Sequence, residues 1–93
     1  MRITQKDIDV LVYRLNWTLG TPETSYNVDS YHKATSNVGN IYAERAYGGM
    51  KLVQIVNEHG GVRELTFRRT TKRETYELLQ SMITGAELAT GRK

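Results

Sequence analysis

Apolar residues recur at helical spacing near both ends of this chain and at strand spacing between them. Ile8, Leu11, Val12, Leu15 and Leu19 form one stripe of a helix expected over residues 5–19, and Val10, Tyr13 and Trp17 widen the apolar surface to one side. Thr4 suits the N-cap, Asp7 three residues later is a weaker relative of the capping-box glutamate, and Ile3 is placed to staple onto Ile8. Gly20 fits the position after the last turn, and Pro22 prevents continuation.

A second helix opens on Thr71-Lys72-Arg73-Glu74, a full capping-box pattern. Tyr76, Leu79, Ile83 and Ala86 make its stripe, with Leu78 and Met82 beside it. Gly85 weakens the interior, marking a close approach or an early end, and Gly91 with Arg92 and Lys93 reads as a frayed terminus.

Between the helices the period becomes strand-like. Asn40–Tyr47 is one strand, with Ile41, Ala43, Arg45 and Tyr47 on one face. Gly48-Gly49 is a two-residue hairpin signal. Met50–Asn57 is dense in β-branched residues on both faces, the mark of a central strand. Glu58-His59-Gly60-Gly61 is a second turn, and Val62–Arg68 a third strand. Residues 21–37 are mostly polar and read as a long loop, with room for a short strand around Tyr26–Val28. The expected fold class is therefore α+β: an α-β-β-β-α order, with a three-stranded antiparallel meander and two helices packed on one face. Because the middle strand is apolar on both sides, the pattern leaves open which face the helices cover.

Length makes this one domain spanning 1–93, since 93 residues cannot hold two cores. No apolar run approaches the ~20 residues of a membrane span, and no basic-then-apolar leader opens the chain, so the expected compartment is the cytoplasm. With no cysteine, disulfides, thiolate metal sites and thiol nucleophiles are excluded. His32 and His59 lie far apart and give no metal-ligand spacing. Ser25, Ser30 or Ser36 with His32 or His59 and Asp29 make a triad only on paper, for nothing nearby resembles a nucleophile elbow. The expectation is a protein that is not an enzyme and uses no cofactor or metal.

Charge supplies the functional lead. The net charge is +3, and residues 1–60 are balanced at six basic and six acidic side chains. The excess falls in 61–93, where Arg63, Arg68, Arg69, Lys72 and Arg73 crowd around one junction with Glu64 between them. A basic junction at a helix N-terminus, where free amide groups already favour anions, points to binding of nucleic acid or a nucleotide-like anion. The alternative reading is a solvated turn. Tyr42 and Tyr47, on opposite faces of the strand Asn40–Tyr47, are candidates for base stacking or partner contact wherever a sheet face is left uncovered.

The stretch 46–65, with Tyr47-Gly48-Gly49, Asn57 and Gly60-Gly61-Val62-Arg63, together with Lys72-Arg73-Glu74 and Leu19-Gly20-Thr21-Pro22, resembles a family of short proteins from tailed phages and prophages. That resemblance covers most of the chain. It implies an accessory protein acting inside a bacterial host cell, and it transfers no catalytic residue. The element order also resembles double-stranded RNA-binding domains, which set basic residues at the N-terminus of the last helix against phosphates. Glu74 interrupts that basic stretch here, and no Gly-Pro-x-His loop is present.

Two functions follow as expectations. One is a non-catalytic accessory protein that binds nucleic acid or a nucleotide-like anion through Arg63, Arg68, Arg69, Lys72 and Arg73. The alternative is a protein-interaction module that inhibits or adapts a host or phage protein. An exposed edge strand also makes a homodimer an open expectation.

Overall fold

The structure is a computed structural model that describes residues 2–28, 34–46, 48–66 and 68–92, the side chains of Val28 and Ala46 excepted. Asp29, Ser30, His32, Tyr47 and Lys93, all invoked from the sequence, lie outside the described residues.

The chain is α+β. Helix α1 runs Gln5–Leu19 and helix α2 runs Lys72–Thr90. Between them lie β1 (Tyr26–Val28), β2 (Ala34–Ser36), β3 (Ile41–Ala46), β4 (Gly49–Ile55) and β5 (Val62–Glu64). Strands β3, β4 and β5 form the expected antiparallel meander in that order. The polar stretch 21–37 departs from a plain loop: β1 and β2 pair as a separate two-stranded sheet. Its base is tied down by asparagines. Asn37 donates its N–H to Ser25 O (2.9 Å), and Asn40 Nδ2 donates to Pro22 O (2.8 Å).

Both helices begin in complete capping boxes. In α1, Thr4 N–H donates to Asp7 Oδ2 while Thr4 Oγ1 accepts from Asp7 N–H, so aspartate closes the box that glutamate closes in α2. Gly20 and Gly91 end the helices in left-handed conformations, φ 74 and 75. Two expectations for α2 are thereby corrected. Gly91 is a cap, its N–H on Glu87 O, and the following Arg92 reaches across to donate from Nη1 to Trp17 O (2.9 Å). Gly85 neither ends the helix nor marks a close approach, since a Cβ there would meet nothing within 4 Å.

The helices lie side by side and run in the same direction, with Arg14 of α1 bonded to Glu87 of α2 and Arg92 beyond α2 reaching the last turn of α1. Residues opposite one another in an antiparallel ladder share a face. Ile41 and Ala43 of β3 therefore align with Met50 and Leu52 of β4, and this is the face that joins Ile8, Leu11, Leu15, Leu79 and Ile83 in the core. Tyr42, Glu44, Lys51, Val53 and Ile55 face the other way. Val53 and Ile55 are buried there too, which explains the double-sided apolar pattern of β4.

The third strand is shorter than its pattern implies. Leu65 N–H still bonds Leu52 O (2.8 Å), but the chain then leaves the ladder and rejoins it at Thr70. Thr70 and Met50 exchange both backbone hydrogen bonds, at 2.7 and 2.9 Å. The place opposite Met50 goes to Thr70 because its hydroxyl finds partners there as well, Met50 O and the buried Thr75 Oγ1. That knot of bonds sits one residue before the N-cap of α2 and seats the helix on the sheet.

Candidate functional site

Of the five cations at the junction between β5 and α2, Arg68 and Arg69 each meet a carboxylate in space. Arg68 Nη2 donates to Glu74 Oε2 at 2.7 Å. Arg69 Nη2 donates to Glu44 Oε1 at 3.3 Å and its Nη1 to Gly49 O. Arg63 Nε donates to the side-chain oxygen of Gln54 (2.9 Å). Lys72 and Arg73 are exposed in the first turn of α2. The structure thus brings Arg68, Lys72 and Arg73 to one end of α2 but separates Arg63 from Arg69. Arg63 lies opposite Gln54 on the helix-bearing side of the sheet, and Arg69 reaches Glu44 on the other.

The anion at this helix N-terminus is Glu74. Its carboxylate accepts from Thr71 N–H (3.0 Å) as well as from Arg68. The Arg68 guanidinium, followed by the Thr71 amide, holds the Glu74 carboxyl well below its ordinary 4.5, at about 2. Two of the donors at this helix end are committed within the capping box, Thr71 N–H to Glu74 and Glu74 N–H to Thr71 Oγ1.

Beside this junction a groove of about 510 Å³ opens between the chain that follows β5 and the outer flank of α2. Leu65, Thr66 and Arg68 line one wall; Glu74, Glu77 and Leu78 line the other. It exists because α1 packs on β3 and α2 on β4, which leaves the side next to β5 open. Leu78 is 39% exposed there. Thr66 is buried at the groove, and its hydroxyl has no hydrogen-bond partner among the described residues. Sequence reasoning placed Leu78 next to the core stripe; its offset of one residue from Leu79 was the signal that it points elsewhere.

Tyr42 is half-buried opposite Val53, on the face away from the helices. Aromatic surface is in plain view on β1, at Tyr26, and along α1. Val10, Tyr13 and Trp17, read from the sequence as widening the core stripe, are 56%, 54% and 46% exposed. They follow one another at helical spacing along the outside, and Arg92 lies 5.9 Å from the centre of the Trp17 ring.

No family model, curated protein or solved structure matches this chain. Among the described residues no cluster of three or more His, Asp or Glu side chains could hold a metal ion, and no helix is long and apolar enough to cross a membrane.

Proposed function

We propose that this chain is a small, non-catalytic protein-interaction module that docks a partner protein in the groove between α2 and the chain that follows β5. One observation carries the reading: Arg68 and Arg69, the centre of the basic run, each hold a carboxylate, Glu74 and Glu44. A phosphate taken up by Arg68 would compete with Glu74, which also closes the helix cap. An amphipathic groove of mixed charge suits a polypeptide better, because apolar floor and paired charges at the rim are what protein interfaces use. The resemblance to phage and prophage proteins makes the partner a host or phage protein in the bacterial cytoplasm.

Fluorescence anisotropy with double-stranded RNA, duplex DNA and single-stranded DNA, at low and at moderate salt, tests this choice. The expected result is binding no tighter than the roughly 10⁻⁴–10⁻⁶ M of non-specific electrostatic association. Tighter binding with a steep salt slope, abolished in the double variant K72E/R73E, would return the function to nucleic-acid recognition.

A further inference from the structure

The two edges of the meander are treated differently. At the β3 edge, Ile41 has both backbone groups taken by the side chain of Asn16. At the β5 edge, alternation decides which groups are free. Leu65 N–H bonds Leu52 O and Val56 N–H bonds Gly61 O, so residues 61, 63 and 65 turn their backbone groups toward β4. Val62 and Glu64 therefore turn theirs outward, and β5 ends the sheet. All three β5 residues are exposed, Val62 at 38%. The chain leaving this open edge, at Leu65 and Thr66, lines the groove already described.

We propose, resting on the protein-binding reading, that the groove's occupant is an extended segment of a different protein. It adds to β5 as a fourth strand and lays alternate side chains into the groove. The backbone of Val62 and Glu64 supplies the ladder, and Leu65 with Leu78 supplies an apolar seat for one large side chain. Charge specifies its neighbour. Arg68 neutralises Glu74, whereas Glu77 on the same wall has no ion-pair partner among the described residues. The segment therefore carries a lysine or arginine two residues from its apolar anchor, on the same face of the strand.

A second copy of the chain fits this edge poorly. Two β5 strands related by a two-fold axis must mate outward groups with outward groups. The symmetric registers that use the strand place Arg63 opposite Arg63 or Glu64 opposite Glu64. Like charges directly opposite are destabilising. The remaining register, centred on Val62, runs Arg63 and Glu64 onto the glycines of the turn.

The test is selection of binders to the full chain from a library of random decapeptides. The expected winners alternate, with a large apolar residue and a cation at second-neighbour positions. Methylating the backbone nitrogen at alternate positions weakens them roughly tenfold, as loss of a well-made hydrogen bond does, while methylation at the intervening positions does not. The exposed substitution Glu77→Arg weakens them similarly. Peptides indifferent to both changes would overturn strand addition and leave protein binding standing. A library that yields no binder would overturn protein binding and the strand with it. A dimer by light scattering that dissociates in the variant Val62→Lys would instead make the occupant a second copy.

Discussion

The side-chain amide of Asn16 pairs with both backbone groups of Ile41, donating to its carbonyl at 2.8 Å and accepting from its N–H at 2.9 Å. Asn16 is fully buried, and its remaining capacity goes to Val12 O and the Thr21 hydroxyl. A helix side chain thus stands in for a neighbouring strand along the outer edge of β3. This is how a buried polar residue in the middle of an apolar stripe is stabilising, since every group it brings is satisfied.

Asn16→Ala is expected to lower unfolding stability by about 2–4 kcal/mol, because it strands two backbone groups that each cost about 1–3 kcal/mol when unpaired. Urea denaturation measures it. A loss below about 0.5 kcal/mol would mean that water reaches the β3 edge and replaces the amide.

Acid should loosen the junction before α2. Glu74 titrates at about 2 in the folded chain against an ordinary 4.5, so its stabilising contribution is present above about pH 5 and fades as pH falls toward 2. Asp7, held down by the Thr4 amide, and Glu64, held down by Lys51, act in the same direction. Thermal melts across this window should show a falling Tm, and Glu74→Gln should flatten part of that fall. An unchanged slope in the variant would remove Glu74 from the account.

Two glycines should respond oppositely to alanine. Gly49 sits at φ +125 with its Cβ position 2.7 Å from Thr70 O, so Gly49→Ala should cost at least about 2 kcal/mol. Gly85 has open space and ordinary helical backbone, so Gly85→Ala should add about 0.8 kcal/mol. Equal effects at the two sites would contradict the backbone assigned to the β3–β4 turn.

Thr66→Val should stabilise the chain by about 1 kcal/mol, because it exchanges a buried hydroxyl without a partner for a methyl group of the same shape. A loss of similar size would mean that the hydroxyl has a partner in solution.

How far the residues alone reach is visible element by element. Thr4 and Thr71, Gly20, and the stripes through Ile8 and Leu79 place both helices to the residue at their starts, since caps and stripes are set by neighbours within four positions. Gly91 was misread as fraying because its role depends on the last turn of a helix that Gly85 had put in doubt. The hairpin β1–β2 was half legible, at Tyr26–Val28, because asparagines distant in sequence hold its base.

The α+β class, the central position of β4 and the starts of the helices were determined by the sequence itself, because short-range capping and periodicity encode them. The candidate site was not. Lysines and arginines can be counted along a chain, but whether they present charge depends on which carboxylates the fold brings near. Glu44, 25 residues from Arg69, comes into reach across the hairpin. Which face carries the helices, which edge Asn16 closes and which β5 leaves open were likewise decided only when distant segments packed together.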